Sequence, residues 1–551
     1  MLEFSICFNH SKNPVLHGCA KIAFAMLKIY AVIAYVVQLN GLSHRLPTQP
    51  DNKEKGLFMT VKNCRILETG EFSGFEKYDG VIVALEAPGT EGVKGVSASL
   101  EPSYRDAIEA FYSRTESKGK AGGHLSFDMS PMQRLGVFFE GTERSVFQTL
   151  GDARKLYGKL SSANTKSILL DVRLAKNPRL MVDAFCSVAE VGKFDFPKYG
   201  AKSKPAKELN IHVLCEDGAG LDEVMNHAFV SAECSNLSRE LTMRAGNDLT
   251  PENYVSDVRG LAEKMGVGFE FIDYDKLVDM KAGAFVAVAQ GSPSHDAGIV
   301  KLAYNSESSE KHLVLVGKGI TYDTGGTNLK PAKSMFGMQG DMAGSALALS
   351  VFQLAVKEKW PEKVSCYLAI SDNSIGDEAY RPNDVVTSLK GKTIEVVHTD
   401  AEGRMVLADT LHLASQEKGD LMMDFATLTG ACVGAIGTAY SGAFTNREDL
   451  HQLIIDAGRK SGERVWPFPL DEDFGECLES DIADIKQCRL TGGVDHIEAA
   501  YFLKQFVDET IPWIHIDLAS SENSGGLAHV SSDCTGFGVR LCSQIVEDVL
   551  R

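Results

Sequence analysis

Cysteine pairs at metal-ligand spacing are missing: the twelve cysteines are scattered and no C-x-x-C occurs. Histidine forms no cluster with them, which argues against a structural zinc site. In so long a chain, scattered cysteines also argue against a disulfide scaffold. They predict reduced, mostly buried thiols in an intracellular protein. Positive charge is in deficit: 56 Lys and Arg face 74 Asp and Glu, a net −18 at pH 7. Such a surface repels phosphate backbones, so no nucleic acid is expected as a partner. A Walker loop is lacking, because G-K-G at 317–319 has no G-x-x-x-x-G-K-[ST] around it, so nucleotide binding is not expected. Collagen period, heptad run and solenoid repeat are lacking too.

What is present is globular usage, with 551 residues of which 44% are hydrophobic and 24% charged. That length exceeds what one core organises, so two domains or more are expected. Residues 22–39, IAFAMLKIYAVIAYVVQL, are apolar except for Lys28 and Gln38. The run nearly reaches bilayer length, but a lysine in its middle is costly in hydrocarbon. It reads as a leader or weak membrane anchor, as a helix packed on the protein, or as an upstream extension with the working protein beginning near Met59. Any membrane contact or organellar address would run through it.

The remainder has mixed α/β texture. Strands are predicted at 81–85, 134–141, 167–174 and 208–216, and helices at 106–114 and 220–246. Thr250 followed by Pro251 reads as a helix cap. His124, Asp128 and Glu140 stand apart and read as solvated or structural. From 267 onward strands (312–320, 364–371, 393–399, 421–428, 513–520) alternate with helices (343–359, 402–418). The expected fold class is α/β. A smaller N-terminal mixed α/β domain (59–219) follows an extension (1–58). A linking helix (220–246) leads to a C-terminal α/β domain (247–551) with a central mixed sheet flanked by helices.

Ligand sites in such sheets lie beyond the carboxyl ends of the strands. Lys318 and Asp323 would follow the strand at 312–317. Asp400, Glu402 and Arg404 would follow that at 393–399, and Lys330 and Asp341 lie in the loop between. Clustered charges are costly unless paired or bound to metal. The four carboxylates Asp323, Asp341, Asp400 and Glu402 would be neutralised by two divalent cations, the composition of a two-metal hydrolytic site. Oxygen ligands with a lysine nitrogen suit zinc, manganese, cobalt or magnesium without selecting one. A lysine beside two dications can lose its proton and ligate.

The segments VGKGITYDTGG (316–326), LKPAKSMFGMQGDMAG (329–344) and HTDAEGRMVLAD (398–409) resemble signatures of the leucine aminopeptidase (cytosol aminopeptidase) metallopeptidase family. So do RPNDVVTSLKGKTIEV (381–396) and ATLTGA (426–431). The resemblance covers about 246–551. It implies that Lys318, Asp323, Asp341 and Glu402 hold one metal, and that Asp323, Asp400 and Glu402 hold a second. Lys330 and Arg404 would be catalytic without ligating, with bicarbonate at Arg404 as proton shuttle. Zinc is implied ahead of manganese. Met338, Thr427 and Gly430 would line the pocket for the first side chain. The implied protein is a cytoplasmic homohexamer. It would release N-terminal residues, leucine and similar apolar ones, from peptides by attack of a metal-bridged hydroxide. The alternative is a non-catalytic member acting in assembly or DNA binding. His398 replaces the family's usual Asn and would perturb Asp400 without becoming a ligand. Glu498 stands where Thr is common, and 520–534 is also unusual.

Overall fold

The computed structural model describes residues 64–86, 100–114, 123–141, 143–161, 165–200, 209–292, 296–305 and 309–551. The extension at 1–58, with its apolar run at 22–39, lies outside the described residues. Residues 61–551 make one compact unit.

The N-terminal part is a six-stranded sheet. Its strands are β1 (Cys64–Glu68), β2 (Gly80–Glu86), β3 (His124–Ser130), β4 (Gln133–Glu140), β5 (Ser167–Leu174) and β6 (Asn210–Cys215). They run in the order β1-β6-β5-β2-β4-β3, with only β3 antiparallel to its neighbour. Helices α1 (Pro102–Arg114), α2 (Val146–Leu160) and α3 (Pro178–Lys193) belong to this part. Asp128 is ion-paired to Arg134, and Glu140 accepts from the backbone of Lys176 and Asn177, so both have structural roles.

Helix α4 (Leu221–Met243) joins the two parts through its packing. Its first half puts Leu221, Met225, Ala228 and Phe229 into the N-terminal core, and its second puts Cys234, Leu237 and Leu241 into the larger core. Thr250 then caps α5 (Pro251–Met265) by accepting from the Asn253 N–H.

The larger sheet contains β7 (Gly268–Asp273), β8 (Gly298–Tyr304), β9 (His312–Asp323) and β10 (Lys363–Asn373). Two short strands, β11 (Val385–Thr387) and β12 (Thr393–Glu395), intervene before β13 (Leu421–Ala426), β14 (Ser441–Thr445) and β15 (Val465–Pro467). A two-residue strand, β16 (Ile485–Lys486), precedes β17 (Trp513–Asp517). The sheet order is β15-β14-β17-β13-β9-β10-β8-β7, mixed as expected, with β9, β10, β13 and β17 parallel at its centre. Leu313 and Leu315 of β9 enter one core cluster, and Val314 and Val316 the opposite one. Burial on both faces explains the nearly unbroken apolar run HLVLV. Helices α6 (Ala343–Glu358), α7 (Glu402–Ser415), α8 (Gly430–Ile436), α9 (Asp495–Lys504) and α10 (Val539–Leu550) belong to this part.

Two expectations are corrected. Strand β9 runs on to Asp323, so Lys318 sits within it opposite Ala369 and not beyond its end. The predicted strand at 393–399 is only three residues long and lies in a separate small sheet, β11-β12-β16. Its continuation fails because side chains claim the backbone: the Gln487 side-chain oxygen accepts from Val397 and His398, and Asn328 Oδ1 accepts from Thr399 N. Among the described residues, no helix is long and apolar enough to cross a membrane, and all ten described cysteines are unpaired.

Candidate metal centre and active site

Asp323 ends β9 beside Asn373, the last residue of β10, where the register between the strands slips. Gly325 and Gly326 follow with φ of +85° and +63°, a left-handed turn open to glycine. The turn lets Gly325 N–H donate to Asp323 Oδ1 at 2.8 Å, and Asn373 Nδ2 donates to the same oxygen at 2.8 Å. The 396–401 loop is pinned over this turn through Thr399. Its Oγ1 donates to Gly325 O at 2.6 Å, and its carbonyl accepts from Asn373 Nδ2 at 3.0 Å and Tyr380 OH at 2.8 Å. The loop therefore delivers Asp400, and the first turn of α7 delivers Glu402 and Arg404. Oxygens of Asp323, Asp400 and Glu402 lie within 4.8 Å of one another.

Two lysines enter the cluster, each paired with two of its carboxylates. Lys318 Nζ lies 2.7 Å from Asp341 Oδ2 and 2.9 Å from Glu402 Oε1, and it donates to Thr427 O at 3.0 Å. Gly403 makes room for it, since a Cβ there would lie 2.7 Å from Lys318 Nζ. Thr427 Oγ1 donates to Asp341 Oδ1 at 2.9 Å. Lys330 Nζ lies 2.8 Å from Asp323 Oδ2 and 2.6 Å from Asp400 Oδ1.

The electrostatics follow from burial. Burial opposes the charge on Lys318, but the carboxylates of Asp341, Glu402 and Asp323 outweigh it and raise its pKa. Lys330 is raised in the same way by Asp323 and Asp400. Burial and then the Glu402 charge push Asp323 up to about 6. Burial also raises Asp341 and Asp400. Glu402 moves the other way: burial alone would raise it, yet Lys318 holds it below the ordinary range. Its Oε2 is buried without a hydrogen-bond partner.

These residues line a cavity of about 580 Å³. Lys318, Asp323, Lys330, Asp341, Asp400, Glu402, Arg404, Met338, Thr427 and Gly430 all border it, so every expected site residue is gathered there. Phe336, Leu428, Val433 and Leu518 add apolar wall. Asn373, Thr399 and Gln487, which brace the cluster, were not foreseen, nor was Asp517 on the wall. Asn373 and Asp517 end β10 and β17, so the rule of strand carboxyl ends could have found them. His398 uses Nδ1 to accept from Asp400 N at 3.3 Å, so it touches the loop and stays outside the carboxylate set. Glu498 is buried against Arg489 at 2.6 Å and is not on the cavity wall.

Arg404 is held by one carboxylate and one backbone carbonyl of its own chain, and only its Nε, buried from solvent, lacks a partner. Its Nη2 donates to Asp495 Oδ1 at 2.7 Å and its Nη1 to Gln487 O at 3.2 Å. An anion docking on Arg404 would therefore meet a carboxylate already paired with the guanidinium, so the surroundings do not fit an added bicarbonate. Metal ions do fit: the carboxylates of Asp323, Asp400 and Glu402 converge, Asp341 joins them through Lys318, and one buried Glu402 oxygen lacks a partner.

Fold and site together define a metal-dependent hydrolase of the peptidase class. The model of the cytosol aminopeptidase family, catalytic domain, matches residues 236–543. A probable cytosol aminopeptidase of Wolbachia pipientis is 38% identical over 363 residues, 64% of this chain and 72% of that protein. One from Solibacter usitatus is 37% identical over 434 residues, 78% and 85% of the two chains. A tomato leucine aminopeptidase variant superposes with a TM-score of 0.77 at 25% identity, covering 90% of this chain and 97% of its own. The bottromycin maturation enzyme BotP in complex with Mn does so with a TM-score of 0.75 at 26% identity, covering 86% and 100%. The chain belongs to the cytosol aminopeptidase family, and it is a metal-dependent aminopeptidase of the leucyl aminopeptidase type.

Proposed function

We propose that this enzyme is dinuclear and removes N-terminal residues, leucine and similar apolar ones, from peptides. The observation that carries the reading is the unpartnered, buried Glu402 Oε2 within a set of four carboxylates on the wall of one cavity. Asp323 and Glu402 would touch both ions, with Lys318 and Asp341 completing one site and Asp400 the other. Bound cations would supply an activated water at neutral pH and polarise the scissile carbonyl. Zinc is favoured and manganese second, the latter supported by the manganese complex of BotP. To ligate, Lys318 would give up the proton its carboxylates hold, which nearby dications drive.

The protein's own groups do the rest. Lys330 stays charged and faces the cluster, where it would stabilise negative charge developing on the carbonyl oxygen. Thr427 and its hydrogen bond keep Asp341 aimed inward. Met338, Thr427 and Gly430, with Leu428 and Val433, would receive the first side chain. Arg404, fixed in the cavity wall, acts with Lys330 as the second cationic group. A cytoplasmic location and a homohexamer complete the reading; sedimentation of the full chain tests the latter.

Asp323→Ala or Glu402→Ala should lose turnover on leucyl-amide and bound metal together, read by elemental analysis. Full metal content with full activity in either variant overturns the assignment.

A further inference from the structure

Arg404 is nearly fully buried, and its partner Asp495 is not: their side chains are 2% and 39% exposed. Asp495 opens α9, where the helix N-terminus favours a carboxylate. It lies 91 residues from Arg404 in sequence, so the fold alone brings the two together. The second donor to the chain, Nη1 to Gln487 O, fixes the guanidinium from the side, and Gln487 in turn holds Ala401 O and the 397–398 backbone. Arg404 is thus paired with one carboxylate and oriented by one backbone carbonyl of the same chain, and its remaining unpartnered Nε is buried from solvent. A guanidinium in this state offers little to a free carboxylate-like anion, which would approach against a like charge.

We propose that Asp495 is a built-in anion for Arg404: it holds the guanidinium in the cavity wall and occupies the seat an external bicarbonate would take, making turnover independent of bicarbonate. Asp495 is a positioning residue acting through Arg404. The proposal rests on the reading that Arg404 takes part in catalysis.

The test uses the metal-loaded full chain in bicarbonate-free buffer, Asp495→Ala, the near-isosteric Asp495→Asn, and Arg404→Ala. Turnover on leucyl-amide is read against added bicarbonate, and ¹³C-bicarbonate line broadening reports binding directly. The parent enzyme should give a flat bicarbonate response and no specific broadening. Asp495→Ala should lose on the order of tenfold in turnover, the scale of one charge-assisted hydrogen bond. It should regain most of that loss as bicarbonate is added, with broadening that appears in step. Asp495→Asn should be impaired with less rescue, because an amide still fills the seat. A structural role alone would produce a loss that bicarbonate does not restore. Saturable stimulation or broadening with the parent enzyme overturns the proposal, and so does an Asp495→Ala enzyme that neither binds nor responds to bicarbonate. Arg404→Ala separates the two readings: undiminished turnover there removes the catalytic role of Arg404, while the broadening comparison still reports who occupies the seat.

Discussion

Glu402 and Lys330 show how burial distributes charge at single residues. Asp323, Asp341 and Asp400 all have raised pKa values because burial dominates them, whereas Lys318 draws Glu402 below the ordinary range. Glu402 is therefore the one of the four carboxylates whose neighbours favour its charge over the effect of burial. In the proposed reading Lys330, paired with Asp323 and Asp400, contributes positive charge without ligating. Lys330→Ala should lower turnover about 10²–10³-fold, the usual effect of removing one oxyanion donor, while metal content stays unchanged. Metal lost in proportion to activity would make Lys330 a ligand instead. The seven charged residues were legible in the sequence because they interrupt or follow apolar runs between positions 318 and 404. Asn373, Thr399 and Gln487 were not, since neutral side chains carry no such signal and their partners are distant: Gln487 acts on the 396–401 loop from about 90 residues away. Asp495 is charged but was hidden by distance alone, since its partner Arg404 lies 91 residues away.

At the scale of elements, the site depends on how closely α6 and α7 approach the sheet. A Cβ on Gly344 would lie 2.1 Å from Phe425 O, and one on Gly317 would lie 2.4 Å from Ser345 Cα. Both obstacles are backbone, which cannot swing aside. Gly344→Ala should cost about 3 kcal/mol of stability, the upper range for overpacking, with activity falling because Asp341 sits just before α6. Urea denaturation measures it, and an unchanged midpoint would mean that the helix can lift from the strand cheaply. Most strands and helices of the larger part were readable from apolar runs and helical spacing. Two features were not. The strand read at 312–320 runs on, since its ladder to β10 continues to Asp323. The apolar stretch after Thr393 looked like a strand, but side-chain acceptors on Gln487 and Asn328 take its N–H groups in place of a neighbouring strand.

Across the whole molecule, the loop at 521–534 ties the larger part to the smaller one. Arg154 of α2 donates to Gly525 O and Val530 O, and Ala528 joins the N-terminal core. His529 is buried beside this contact with neither ring nitrogen hydrogen-bonded. Burial, and then the positive charge of Arg540, push its pKa down to about 3, against the opposing effect of Asp183. The folded protein thus binds a proton at His529 less readily than the unfolded chain, whose histidine titrates near pH ~6.5. Its contribution to stability is full above that pH and is lost as pH falls toward about 3. His529→Gln should flatten this part of the acid limb in denaturation midpoints measured across that window, and an unaltered slope would assign acid sensitivity to other groups. The same molecule-wide arrangement gathers the charged residues on one cavity, which the proposed function fills with two cations. The most direct measurement strips the full chain of metal, adds back zinc or manganese in steps, and follows bound metal per chain beside turnover on leucyl-amide. Two ions bound per chain, with turnover appearing as the set is completed, is the predicted result. Saturation at one ion, or turnover that persists in the stripped enzyme, would contradict it.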